Sequence, residues 1–143
     1  MWPHEGRRTC SRKRGFTLLE LLVVLLIIAL LAGYVGPKLF SQVEQAKVKT
    51  ARAQMKTLAD ALGQYRLDTG RYPSEQEGLD VLVKQPAGVQ NWHGPYLSKD
   101  VPLDPWSNAY QFKSEGSKHE IVSLGSDGKP GGTGDAADIV YEF

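Results

Sequence analysis

The sequence predicts an α+β chain: one long N-terminal helix, apolar in its first half and amphipathic in its second, packed on a small antiparallel sheet. Three observations carry that expectation. A membrane-length apolar run, Phe16–Val35, follows a basic stretch. Helical spacing of apolar residues then continues to about Asp68. Three short strand-like segments, "AYQFKS", "HEIVSLG" and "DIVYEF", crowd the other end of the chain. Helix first and strands afterwards is an α+β plan.

The whole chain of 143 residues has a formal net charge of +1. That average hides an asymmetry. Residues 1–15 are polar and basic, and residues 16–35 are almost wholly apolar. Only from about Ser41 does the chain read as a mixed globular sequence, which leaves a thin core. Cys10 is the single cysteine, so neither an internal disulfide nor a cysteine zinc cluster can brace that core. If the core is braced, the brace must be a non-cysteine metal site or neighbouring subunits.

At 1.5 Å per residue, the run Phe16–Val35 spans about 30 Å, the thickness of a bilayer core. Arg7, Arg8, Arg12, Lys13 and Arg14 all precede it. The positive-inside rule therefore places the N-terminus in the cytoplasm. A cleaved secretory signal would need small residues after the apolar run, but "IALLAGYVG" has Leu30 where one is wanted. A twin-arginine signal could use Arg7 and Arg8, but "TCSRK" lacks the apolar pair that should follow. A plain transmembrane anchor explains everything except Glu20.

An acidic residue in the bilayer costs about 2.5–3.5 kcal/mol at mid-depth and less near the interface. Glu20 is near one end and could snorkel. Ionisable residues in membranes nevertheless usually have a specific partner. If the chain were cut between Gly15 and Phe16, the new α-amino group would stand four residues from Glu20, at the same depth. In a neighbouring copy it could neutralise that carboxylate.

Beyond Val35, Pro37 should kink or weaken the helix, and Gly33 and Gly36 add freedom. Leu58, Ala61, Leu62 and Tyr65 form a stripe at helical spacing, and Gly70 and Pro73 end the helix near Asp68. The cations Lys47, Lys49, Arg52 and Lys56 read as a solvated face. No aromatic residues interleave with them, so nucleic-acid binding is not expected.

"SEQEGLDVLVKQPAG" reads as a short helix with Ser74 and Glu77 as its capping box and Leu79, Leu82 and Val83 facing inward. Pro95, Pro102 and Pro105 make the next segment mostly loop, anchored by Trp92, Tyr96 and Trp106. His93 has no partner motif. Gly116 suits a hairpin between the first two strands.

Leu124–Asp138, "LGSDGKPGGTGDAAD", holds five glycines and three aspartates. Glycines let a loop wrap and turn its carbonyls inward, and carboxylates add hard oxygen ligands. Calcium takes such oxygens, so the composition suits Ca²⁺ better than zinc. The order of residues is neither an EF-hand nor a P-loop. The match of Gly132, Gly134 and Ala137 to a dinucleotide fingerprint lacks the strand–helix context. A surface loop with solvated aspartates is the plain alternative.

"RGFTLLE" resembles the processing site of type IV pilin-like precursors, with Gly15 at the cut, Phe16 as first mature residue and Glu20 as fifth. The resemblance implies cleavage after Gly15 by a prepilin peptidase, N-methylation of Phe16 and helical packing of subunits into a filament. Loss of residues 1–15, with five Lys/Arg and one Glu, would change the net charge from +1 to −3. The ordered set "RGFTLLELLVVLLIIALLA", "YRLDTGRYPSEQEGLDVLV", "GPYLSKDVPLDPW" and "SLGSDGKPGG…ADI" is similar to the major pseudopilins of type II secretion systems along essentially the whole chain.

That resemblance implies a pilin-like fold with one structural Ca²⁺ in the C-terminal loop. Asp127 matches the firmest side-chain ligand and Leu124 a backbone carbonyl. Asp135 matches the second carboxylate, with Asp138 as a third or its replacement, and Lys129 as a further carbonyl. One departure is "DPWSNAY", where family members usually read "DPWGxPY". The spacing between the loop aspartates also varies.

The implied organisation is a cleaved leader (1–15), a transmembrane and filament-core helix (16–36) and an amphipathic helix half (37–69). A helix–loop segment (70–108) and a sheet with its Asp/Gly loop (109–143) follow. The implied role is a non-enzymatic subunit that polymerises from the bacterial inner membrane to drive export of folded periplasmic proteins. The implied partners are further copies of the chain, the prepilin peptidase, an inner-membrane assembly platform and its ATPase, minor pseudopilins and membrane lipid. The implied location is a single-pass inner-membrane precursor, N-terminus cytoplasmic, with its outer domain in the periplasm. Three rivals stand beside it. A type IV pilus subunit commonly closes its C-terminal loop with a disulfide, which this chain cannot form. A minor pseudopilin tends to lack the full ion-loop pattern, and a tip initiator often replaces the mature fifth Glu. A membrane-tethered enzyme would need a catalytic set or metal triad, and the spacing of residues offers none.

Overall fold

The computed structural model describes residues 14–143. The leader residues 1–13, including Cys10, lie outside the described residues. Helix α1 runs Leu18–Thr69. Strands β1 (Gln111–Glu115), β2 (Lys118–Ser123) and β3 (Ile139–Glu142) form an antiparallel meander in that order. The chain divides into two units that meet between Phe40 and Ser41.

In the first unit the helix buries nothing. Leu22, Leu25, Leu26, Leu30 and Leu31 are all more than half exposed. Pro37 lies inside the helix, which is assigned without a break. A proline removes one backbone donor and crowds one carbonyl, and here that disturbance does not end the helix.

In the second unit the helix becomes one wall of a core. Ala51, Met55, Leu58, Leu62 and Tyr65 recur at alternating spacings of four and three and are essentially inaccessible. Opposite them stand Tyr110, Phe112, Ile121 and Ile139 from the sheet region. Phe112 and Ile121 are direct cross-strand partners, so one register places both on the core face. The hairpin between β1 and β2 turns at Gly116, whose φ of +61° suits glycine. Thr69 ends α1 beside Gly70, as the breaker residues predicted.

The short helix expected after Ser74 forms as a 3₁₀ helix, Gly78–Leu82, and starts later than its capping box suggests. The capping box itself is made: the Ser74 amide donates to Glu77 Oε2 at 2.7 Å and the Glu77 amide donates to Ser74 Oγ at 3.2 Å. Gly78 then takes φ +61° and diverts the backbone into a 3₁₀ turn, Gly78–Leu82. The tighter period buries Val81 along with Leu79 and Leu82, while Val83 is only half-buried.

The proline-rich segment is pinned as its aromatics predicted. Trp92 Nε1 donates to the Val81 carbonyl at 2.7 Å, and Tyr96 OH donates to Asp68 Oδ2 at 2.7 Å. Trp106 Nε1 donates to Glu44 Oε2 at 3.0 Å, tying this segment to α1. Lys47 and then that indole hold the Glu44 carboxyl below the usual carboxylate range. The His93 side chain is largely exposed, 3.7 Å from Asp68.

Candidate functional site

Two sequence-predicted sites fall in different units, and each is built locally. The first is the start of α1. Gly15 and Phe16 precede the helix, with Phe16 86% exposed. Thr17 caps the helix: the Glu20 amide donates to Thr17 Oγ1 at 3.2 Å, and the Thr17 amide donates to Glu20 Oε2 at 3.1 Å. This is a capping box, T-x-x-E, satisfying donors that every helix start leaves free. Glu20 therefore has a role within its own chain as well as any role between chains. Its negative charge also sits at the positive end of the helix dipole. The reading of the sequence missed Thr17, although the T-x-x-E signal was visible.

The second site is the loop between β2 and β3. Leu124 follows β2 and is buried. Gly125 follows at φ +68°, so close to the next turn that a Cβ there would lie 2.8 Å from the Ala137 carbonyl oxygen. Only glycine fits that approach. Asp127 ends a 3₁₀ turn, Gly125–Asp127, and its Oδ1 accepts the Lys129 amide at 3.0 Å. Asp135 sits in a second 3₁₀ turn, Gly134–Ala136, and is exposed. Asp138 Oδ2 accepts the Gly131 amide at 3.0 Å.

Asp138 Oδ1 is buried and has no hydrogen-bond partner. A buried carboxylate oxygen left unpaired is costly, and a bound cation is one means of satisfying it. This orphaned oxygen, in a loop of glycine-rich turns, fits a hard divalent cation. Among the described residues, no three His, Cys, Asp or Glu side chains gather as a metal group. A cation here would therefore draw on backbone carbonyls as well as carboxylates, the mix calcium uses.

The loop is braced by residues the sequence reading did not single out. Asp104 is 4% exposed. Its Oδ1 accepts the amides of Trp106 and Asn108, at 3.0 and 2.8 Å. Its Oδ2 accepts Ser123 Oγ at 2.6 Å. Asn108 Nδ2 donates to the Gly125 carbonyl at 3.0 Å. The Asp-Pro pair does signal a turn, but the bond from Asn108 to Gly125 spans 17 residues and leaves no local trace.

Comparison with known proteins covers both regions of the chain. A family described as "Type II secretion system (T2SS), protein G" matches residues 38–142, and the "Prokaryotic N-terminal methylation motif" matches residues 10–35. The type II secretion system core protein G of Pseudomonas aeruginosa is 44% identical, over 90% of this chain and 94% of that protein. Its counterpart in Vibrio cholerae is 39% identical, over 90% of each. Among solved structures, the crystal structure of the major pseudopilin from the type 2 secretion system of enterohaemorrhagic Escherichia coli superposes with a TM-score of 0.60. That neighbour is 32% identical, with 69% of this chain and 85% of that one covered. The chain belongs to the type II secretion system protein G family.

Proposed function

We propose that the chain is the major pseudopilin of a type II secretion system, a structural subunit with no catalytic role. One observation carries the reading. The first unit exposes a membrane-length apolar helix, while the second closes a core without it. Such a helix needs lipid before assembly and the helices of neighbouring copies after it. The methylation motif supports cleavage after Gly15 and modification of Phe16. The family supports growth of a pseudopilus from the inner membrane by addition of copies, with the assembly platform, its ATPase and minor pseudopilins as partners. The basic residues before Phe16 favour a cytoplasmic N-terminus and a periplasmic second unit. The protein G family favours this role over a pilus subunit or a minor pseudopilin.

Glu20 is the residue to test. Glu20→Ala removes the charge expected to meet the α-amino group of a neighbouring copy. Processing at Gly15 should persist, and filaments should be absent or disordered in the electron microscope. Normal filaments would contradict the charge-pairing role.

The same reading gives the second unit one structural Ca²⁺. Asp127, with Asp135 or Asp138, would supply carboxylates, and Leu124 and Lys129 would supply backbone carbonyls. The bound ion would satisfy loop oxygens that otherwise repel one another. The buried, unpaired Asp138 Oδ1 argues that Asp138 is among the ligands.

A further inference from the structure

We infer that Asn108 is a positioning residue for the cation loop, an inference that rests on the calcium reading of that loop. The backbone of Asn108 is fixed before its side chain is considered. Its amide donates to Asp104 Oδ1 at 2.8 Å, and its carbonyl accepts the Asp104 amide at 2.8 Å. The side chain then reaches across to the loop, where Nδ2 donates to the carbonyl of buried Gly125 at 3.0 Å. At the other end of the same short turn, a Cβ on Gly128 would lie 3.1 Å from Asn108 Oδ1. Asn108 is therefore bonded to one end of the segment that carries Asp127 and lies beside the other.

Gly125 is held from three sides. Asn108 holds its carbonyl, and its amide donates to Ser123 Oγ at 3.4 Å. The Ala136–Ala137 backbone packs against its α-carbon. That last contact joins the Asp127 turn to the turn that carries Asp135 and leads into Asp138. Asn108 fixes the spacing of the two turns before an ion arrives. A ligand set preset in this way loses less order on binding, so affinity depends on residues that never touch the ion.

The test uses the full chain in detergent micelles. Calcium chloride is titrated calorimetrically into the unmutated protein, Asp127→Ala, Asn108→Ala and Asn108→Asp. Melting is followed with calcium and with a chelator. Asn108→Asp has nearly the shape of asparagine but no N–H for the Gly125 carbonyl, and it adds a negative charge. If charge alone governed the site, that variant would bind calcium more tightly. The inference expects both Asn108 variants to lose at least about ten-fold in affinity, with a smaller calcium-induced rise in melting temperature. Affinities within about two-fold of the unmutated protein, with equal loss of melting temperature in calcium and in chelator, would reduce Asn108 to a structural brace. Calcium binding abolished by Asp127→Ala but unchanged in both Asn108 variants would overturn this inference alone. No binding by the unmutated protein would overturn it together with the calcium reading.

Discussion

The two units of this chain meet the same hydrophobic effect and answer it differently. From Ser41 onward, α1 turns one stripe inward, and Met55, Leu58, Leu62 and Tyr65 lose nearly all contact with water. Before Phe40, every turn of the same helix carries large apolar side chains, and all of them stay open. One half is amphipathic because a sheet covers one of its faces. The other is apolar all round, which is stable only in lipid or among other helices. The lesson is that only one unit is complete by itself. The other has a secondary structure and still lacks its environment.

The largest effect should come from reversing that contrast. Leu62→Ala removes a side chain with no exposure and should cost about 2–5 kcal/mol. Leu26→Ala, at a position 60% exposed, should leave the unfolding of the second unit unchanged. Chemical denaturation of both variants in detergent reads the difference. Equal destabilisation would mean that the first unit contributes to the core after all.

A smaller effect concerns how the second unit is closed. Arg71 clasps Glu77 with two hydrogen bonds, of 2.7 and 2.8 Å, and so lowers the Glu77 carboxyl from 4.5 to about 2. A carboxyl lowered on folding stabilises the protein above its unfolded value. That contribution is intact above about pH 4.5 and fades as pH falls toward 2. The Arg71 side chain is 49% exposed, so water screens the pair and it is worth only about 1 kcal/mol. Melting of Glu77→Gln should therefore fall short of the unmutated protein at neutral pH and converge with it in acid. A constant gap down to pH 2 would mean that the loss does not come from the carboxylate charge.

The smallest effect should be a gain. Ser107 in "DPWSNAY" holds φ +68°, a conformation that favours glycine. A side chain in the left-handed region costs about 1–2 kcal/mol, part of which glycine loses again through its freer unfolded chain. Ser107→Gly should stabilise by about 0.5 kcal/mol, a rise of a few degrees in melting temperature. A fall would mean that the serine hydroxyl has a partner worth more than the strain.

Much of this architecture was legible in the residues. Gly70 and Pro73 marked the end of α1, and the stripe Leu58, Ala61, Leu62, Tyr65 marked its buried face. The three strands and the turn at Gly116 followed from alternation and from a single glycine. The short helix after Ser74 was read correctly in place but not in type, because Gly78, by its φ, sets a 3₁₀ start that a local pattern and a capping box do not reveal. The brace of the loop was invisible for another reason. Asp104, Asn108 and Ser123 meet only after the sheet forms, and nothing near them in sequence announces their contacts. The Asp/Gly loop itself was found from composition, because glycine and carboxylate are what a wrapped oxygen-rich turn requires.

The second unit closes its own core, and the calcium proposed for its loop should stabilise that unit directly. The most direct measurement is thermal unfolding of residues 41–143 alone in water, with millimolar calcium and with a chelator, beside Asp127→Ala. The account predicts one cooperative transition without the apolar helix. Calcium at about 100 times its dissociation constant should add about 2.7 kcal/mol, raising the melting temperature by several degrees in the unmutated fragment alone. A fragment with no cooperative transition would contradict the independence of the unit. A cooperative transition indifferent to calcium would return the loop to a surface turn with solvated aspartates.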